Sequence, residues 1–335
     1  MFFHAGNENQ RPLPPSAVLE LRNVSRRFSK RLDVVEKLAR KLGADVPEHT
    51  VHAVDRVSIR VASGEVVGLV GESGCGKSTV GRLACGLIEP SEGQVLYKGR
   101  RPAGTQRPQM IFQDPFASLN PRMRVEEIVG EAPVVHGFVS KSGIRDYVSE
   151  MLEQVGLDPS YRRRYPHQFS GGQRARIGIA RALAVKPDFL VCDEAVAALD
   201  VSIQAQVLNL FMDLRDSLGL TYLFISHDLG VVRHLAQRVV VMYLGRVVES
   251  APAAELFAGP NHPYTQALLA EVPRLERKRR EFAPIKGEIP SPLAPPPGCH
   301  FHPRCPHAME RCAREVPALR EIAPGRLSAC HLNDQ

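Results

Sequence analysis

Glu65-Val66-Val67-Gly68-Leu69-Val70 runs directly into Gly71-Glu72-Ser73-Gly74-Cys75-Gly76-Lys77-Ser78-Thr79, and residues 80–87 follow with helical periodicity. A short apolar run is the pattern of a strand buried on both faces. The nine residues after it fit G-x-x-x-x-G-K-[ST], set between a strand and a helix, which is the context that gives the motif its meaning. Glycines let backbone N–H groups close around phosphate oxygens that side chains would obstruct. The next helix turns its positive end and free N–H donors toward the same anion. Lys77 is expected to neutralise the β- and γ-phosphates and the Ser78 hydroxyl to hold Mg²⁺. The segment therefore predicts an ATP-type site at the end of a parallel strand.

The chain around this loop alternates strands and helices. Residues 18–24 and 53–61 read as strands from their alternation and β-branched content. Residues 30–42 between them read as a charged amphipathic helix in an insertion. Residues 124–156 read as mainly helical, interrupted near Pro133 and Gly143, and 172–185 as a helix ended by Pro187. Residues 189–192, 221–225 and 239–243 are further buried-strand candidates, separated by helical patterns at 201–218 and 229–237. This alternation indicates an α/β fold with a largely parallel sheet. No internal repeat is present, so one nucleotide unit is expected.

Phe189-Leu190-Val191-Cys192-Asp193-Glu194 is an apolar strand ending in two acids. Downstream of a phosphate loop, Asp193 suits a group that holds Mg²⁺ through the metal's water shell. Glu194 suits the base that polarises an attacking water.

The bulk composition sets outer limits. At 335 residues, with 44% hydrophobic and 24% charged residues, the chain can build one large domain and an appendage. A net charge of +7 suits phosphate ligands, anionic lipid surfaces or nucleic acid without choosing among them. No apolar run approaches the roughly 18–20 residues of a spanning helix, and residues 1–15 lack the h-region of a signal peptide. The expectation is a soluble chain that reaches a membrane only through a partner.

Phe169-Ser170-Gly171-Gly172-Gln173, before a helix that begins Arg174-Ala175-Arg176, resembles the signature sequence of ABC-type ATPases. The resemblance covers about residues 19–250. It implies an ABC-type P-loop NTPase with a RecA-like parallel-sheet core, an antiparallel β subdomain and an α-helical subdomain at about 115–175. The ABC domain would span 16–258, with an extension over 259–335. By the same resemblance, Gln113 in Ile111-Phe112-Gln113-Asp114-Pro115 is the Q-loop glutamine that touches Mg²⁺. Asp200 is the D-loop aspartate, and His227 is the switch histidine that contacts the γ-phosphate near Glu194. Phe28 stands where the family stacks an aromatic on adenine. Ser170, Gly171, Gly172 and Gln173 would face the ATP of a second subunit. One departure is visible. Ala195-Val196-Ala197-Ala198 replaces the family's common Pro-Thr-Ser-Ala, losing no catalytic group but leaving a backbone without the proline's restraint.

Residues 113–121, 200–206 and Asn261-His262-Pro263-Tyr264-Thr265 resemble the ATP-binding subunits of peptide importers, most of all the F-type subunit of oligopeptide and dipeptide permeases. That implies ATP and Mg²⁺ as ligands, a heterodimer with a second ABC ATPase and two membrane permeases. An extracytoplasmic peptide-binding protein and a place on the cytoplasmic face of the inner membrane are implied as well. Importers of other small solutes, such as nickel or glutathione, are the near alternative. A soluble ABC ATPase acting on nucleic acid or ribosomes is the distant one, disfavoured by the single cassette and the lack of a long coiled coil between Lys77 and Ser170.

Cys299, Cys305, Cys312 and Cys330 lie in a Pro- and His-rich tail that can bury little apolar surface, so a metal could supply folding energy there. The spacings are not the paired C-x₂-C of most zinc ribbons, and four cysteines equally suit an iron–sulfur cluster. His300, His302, His307 and His331 could complete a zinc site in place of a thiolate. The resemblance to the peptide-importer extension implies a [4Fe-4S] cluster.

Overall fold

The computed structural model describes residues 17–29, 50–102, 108–114, 118–271 and 287–334. The helix expected at 30–42 and the first 15 residues lie outside the described residues, as do Pro115, Phe116 and Ala117.

Two sheets form the frame. β1 (Ala17–Ser29), β2 (Thr50–Ala62) and β4 (Glu92–Tyr97) make a three-stranded antiparallel sheet in the order β2-β1-β4. β1 and β2 are each longer than their alternation suggests, because their irregular registers let them go on pairing past the breaks in pattern. β3 (Val66–Val70), β5 (Gln109–Ile111), β6 (Phe189–Asp193), β7 (Thr221–Ile225) and β8 (Arg238–Tyr243) run parallel in the order β8-β3-β7-β6-β5. All residues of β3, β6 and β7 are buried, as unbroken apolar runs require. β9 (Arg246–Pro252) returns antiparallel to β8. β11 (Arg326–Ser328) then pairs with β9, and β10 (Arg320–Ala323) with β11, so the mixed sheet reaches eight strands.

Helices cover both faces. α1 (Lys77–Ala84) follows the phosphate loop. α2 (Val125–Val135) and α3 (Ile144–Gln154) form one apolar cluster with α4 (Gly171–Leu183) and α5 (Val201–Leu218). Pro133 lies in the last turn of α2, which ends at Val135, so the break expected near it comes two residues later. Ser170 caps α4 by accepting from the Gln173 N–H at 3.3 Å, and Gln173 Oε1 accepts from the Ser170 N–H at 3.0 Å. α5 ends on Gly219 in the left-handed conformation, φ 66°. α6 (Leu229–Leu235) is capped by Asp228, which accepts from the N–H groups of Gly230 and Val231.

The segment beyond residue 258 is built into the same core. α7 (Ala253–Ala258) and α8 (Pro263–Ala270) bury Leu256, Tyr264 and Leu268 with Tyr243, Val248 and Phe301. The Glu249 carboxylate accepts from the amides of Asn261 at 2.8 Å and His262 at 2.9 Å. His262 Nδ1 in turn accepts from the Tyr264 N–H at 3.1 Å. Burial pushes the His262 imidazole from 6.5 down to about 4. His300 is likewise pushed down to about 4, by burial first and then by the nearby Arg246 charge.

Both rings stay neutral in the fold, whereas the unfolded chain protonates near the ordinary value. Between those values the unfolded state binds more protons, so stability falls as pH drops through the window. The thermal midpoint should therefore decline from about pH 7 to about pH 4. His262→Asn, which keeps an acceptor at the cap, should flatten that decline. A slope unchanged by the substitution in a pH series of melting curves would count against this assignment.

Candidate functional site

The carboxyl ends of four adjacent parallel strands each deliver one piece of chemistry, at the place where open α/β sheets bind ligands. β3 leads into Gly71–Thr79, β6 ends at Asp193 and Glu194, β7 leads to Ser226-His227, and β5 leads to Gln113.

The loop needs its glycines for definite steric reasons. Gly76 lies at φ +105°, and a Cβ there would meet the Ala53 carbonyl oxygen at 2.2 Å. Gly71 lies at φ +151°, and a Cβ there would meet the Met242 carbonyl oxygen at 2.2 Å. The loop is thus threaded between β2 and β8. Lys77 is buried and donates from Nζ to the carbonyl oxygens of Gly71 at 2.7 Å and Glu72 at 3.0 Å. Cys75 is buried beneath the loop, and burial pushes its thiol up.

Ser78 Oγ donates to Asp193 Oδ1 at 3.0 Å. Asp193 is buried, and its carboxyl is pushed up by burial first, with Glu194 also raising it. The Ser78 hydroxyl and the Asp193 carboxylate offer the oxygen donors that a hard divalent cation takes.

Glu194 is the meeting point. Gln113 Nε2 donates to Glu194 Oε2 at 2.7 Å, and His227 Nδ1 lies 3.3 Å from Glu194 Oε1. The Glu194 backbone sits in the left-handed region at φ +49°, a conformation that costs a non-glycine residue on the order of 1 kcal/mol. Its N–H donates to the Ile225 carbonyl at 3.0 Å, which pins the carboxylate beside β7. The Ala195-Val196-Ala197-Ala198 stretch closes a turn without proline. The Ala197 N–H donates to Glu194 O at 3.0 Å, and Ala195 and Val196 are buried.

The other predicted residues stand apart from this knot. Ser170 and Gln173 are at the exposed start of α4, on the helical cluster. Asp200 is exposed at the start of α5. Phe28 is 39% exposed near the end of β1, paired with Val51 on β2, and the Arg26 guanidinium lies 4.7 Å from its ring centroid. Ala53, two residues along β2, is the residue that walls Gly76.

The four tail cysteines share one neighbourhood. Cys299 is pushed up to about 11 by burial and then by Cys312, Cys330 and Cys305. Cys305 and Cys330 are also pushed up, each by burial first and with Cys312 contributing. The Cys299 N–H donates to Cys312 O at 2.8 Å. All four are free thiols. Among the described residues, no three His, Cys, Asp or Glu side chains are gathered closely enough to hold a metal ion. The donor set matches a cluster in kind and number, while the thiols do not stand in ligating geometry.

Two residues with no sequence-derived role touch the loop. Arg304 binds the Glu72 carboxylate, and Tyr264 Oη accepts from the Glu72 N–H. Tyr264 was visible only as part of Asn261–Thr265. Nothing in the sequence marks Arg304, which pairs across 232 residues.

Comparison with known proteins supplies a frame for this geometry. The family model described as "ABC transporter" matches residues 54–197, and that described as "Oligopeptide/dipeptide transporter, C-terminal region" matches residues 248–312. The oligopeptide transport ATP-binding protein AppF of Bacillus subtilis (strain 168) is 50% identical over 329 residues, covering 94% of this chain and 97% of its own. A putative peptide import ATP-binding protein of Brucella ovis is 52% identical over 291 residues, covering 84% of this chain and 92% of its own. Among solved structures, the dimeric post-hydrolysis state of the ATP-binding cassette MJ0796 with ADP and Pi aligns with a TM-score of 0.58 at 25% identity, over 70% of this chain and 98% of that one. The cbiO1 protein of Clostridium perfringens, at 24% identity, aligns with a TM-score of 0.59 over 72% of this chain and 91% of that one, and shows the fold alone.

Proposed function

The chain belongs to the ABC transporter ATP-binding proteins of the oligopeptide importer family, and from that membership we propose how its residues divide the work. It is the ATP-binding, ATP-hydrolysing subunit of a peptide ABC importer and works with permease and binding-protein partners. The observation that carries the residue assignment is the convergence of Gln113 and His227 on the Glu194 carboxylate, beside the Ser78–Asp193 contact.

Lys77 and the loop amides hold the triphosphate. Ser78 and Asp193, with Gln113, hold Mg²⁺, which when bound neutralises phosphate charge. Glu194 accepts a proton from the attacking water. Gln113 and His227 fix the direction of its carboxylate, so that the base does not rotate away. Phe28 stacks on adenine. Its neighbour β2 already walls the loop, which is the support for that role.

Ser170, Gly171, Gly172 and Gln173 face the γ-phosphate held by a second ABC ATPase subunit, with Asp200 at the same interface. Ser170 is exposed at the start of α4, capped and preorganised, which supports this reading. Hydrolysis removes the group that both subunits grip, and the dimer opens. Gln113 and the adjoining 122–137 region pass the opening to two permeases on the cytoplasmic face of the inner membrane. Among the described residues no helix is long and apolar enough to cross a membrane. The division near residue 258 marks where the general ATPase gives way to the importer-specific extension. A tagged full-length chain should co-purify with a second ATPase and two membrane proteins. Recovery with ribosomes or nucleic acid instead would overturn the assignment.

We also propose that Cys299, Cys305, Cys312 and Cys330 take up a [4Fe-4S] cluster, with zinc the alternative. The support is the donor set alone: four unpaired thiols in one another's field. Anaerobically purified protein should be brown, absorb at about 400 nm and contain four iron and four sulfide per chain. Colourless protein, with or without zinc, would refute the cluster.

A further inference from the structure

We propose that Arg304 and Tyr264, both in the C-terminal segment, are positioning residues for the phosphate loop and set its affinity for polyphosphate. This deepens the reading of residues 71–79 as the ATP loop and rests on it.

The loop carries an acid where it must receive a tetra-anion. Glu72 is its second residue, and its charge is felt as far into the loop as Cys75. Arg304 answers that charge with a two-pronged pair: Nη1 donates to Oε2 at 2.7 Å and Nη2 to Oε1 at 3.0 Å. The Arg304 side chain is 5% exposed, so water screens this pair little. Its guanidinium lies over the Tyr243 ring, 5.8 Å from the centroid.

The Glu72 backbone is held separately. Its N–H donates to Tyr264 Oη at 2.8 Å, across 192 residues. Tyr264 is fully buried, with its ring centroid 4.7 Å from that of Tyr243 and 5.4 Å from that of Phe301. Neither contact is long-range packing of a general kind. Both converge on one residue of the loop, one on its charge and one on its amide. The first neutralises an anion beside the phosphate site. The second fixes the loop where Lys77 also bonds, since the Glu72 carbonyl accepts from Lys77 Nζ.

Nucleotide grip in this chain is therefore conditional on the C-terminal segment being seated. Arg304 directly precedes Cys305 and follows Cys299 by five positions, so any displacement of the cysteine-bearing loop carries the guanidinium with it.

The test is equilibrium binding of ATP, ADP and AMP to the full-length chain and its variants, each confirmed folded by circular dichroism. Arg304→Ala should weaken ATP about tenfold, ADP less and AMP least, because the exposed Glu72 charge repels in proportion to phosphate charge. Adding Glu72→Gln to Arg304→Ala should recover most of the loss, which a packing defect would not allow. Tyr264→Phe, which keeps the ring, should weaken ATP by about threefold. Lys77→Ala is the control for the loop itself. If Lys77→Ala loses ATP while Arg304→Ala and Tyr264→Phe bind it like the parent, the positioning role is wrong and the loop assignment stands. Equal loss for all three nucleotides with no recovery by Glu72→Gln would also overturn it. Unaltered binding in Lys77→Ala would instead overturn the loop assignment on which it rests.

Discussion

Replacing Glu194 by Gln is expected to cut ATP turnover by about 10²- to 10⁴-fold, the range over which a positioned general base contributes, while leaving ATP binding intact. The amide is nearly isosteric and can still meet Gln113 and His227, which now stand 2.7 Å and 3.3 Å from the carboxylate oxygens. What it cannot do is take a proton. The left-handed backbone at Glu194 is indifferent to this exchange, since neither side chain is β-branched. Steady-state phosphate release, measured with the partner subunits present, checks the prediction. Turnover within threefold of the parent would reject Glu194 as the base. Because the ATP on this chain's own loop then keeps its γ-phosphate, the variant should also accumulate as a closed, nucleotide-bound dimer.

Lys77→Ala should act one step earlier. Lys77 is buried at the start of α1, with its ammonium already turned onto the carbonyls of Gly71 and Glu72, so the charge is presented at the loop from within. A charge-assisted hydrogen bond of this kind contributes about 1.5–3 kcal/mol, so ATP affinity should fall by about 10- to 100-fold. The fold should survive, because alanine suits the first turn of a helix and leaves no buried charge behind. Equilibrium dialysis with ATP reads the loss directly. Undiminished affinity would remove the loop from the nucleotide site.

The two predictions draw on features that the sequence exposes unequally. The phosphate loop is local: a strand, nine residues and a helix, all contiguous. Asp193 and Glu194 are legible for the same reason, since an unbroken apolar run announces the buried strand that ends at them. The convergence on Glu194 is different. Gln113 and Glu194 are 81 positions apart, and only the order β3-β7-β6-β5 brings their strand ends side by side. Family resemblance pointed to the residues, but the contact belongs to the sheet.

Short strands were the least legible part of the frame. β5 and β11 have three residues each and β10 has four, too few for any alternation to register. Their pairing partners supply what their own sequences do not. The tail, read as a segment able to bury little, in fact seats Phe301 at 1% exposure against Tyr243 and Tyr264. Isolated aromatics in a Pro- and Cys-rich stretch have no period to betray them. Arg304 is the extreme case. One arginine among many carries no pattern, and its meaning lies wholly in Glu72, on the other side of the chain.

The central claim is that this chain holds ATP on the Gly71–Thr79 loop and breaks it with Glu194. Its most direct test is to mix the Glu194→Gln protein and its partner subunits with Mg²⁺ and radiolabelled ATP, remove free nucleotide, and identify what remains bound. Intact ATP, retained in the Glu194→Gln protein and absent when Lys77→Ala is added, is the predicted result. Recovery of ADP alone from Glu194→Gln, or of undiminished ATP from the Lys77→Ala double variant, would contradict it.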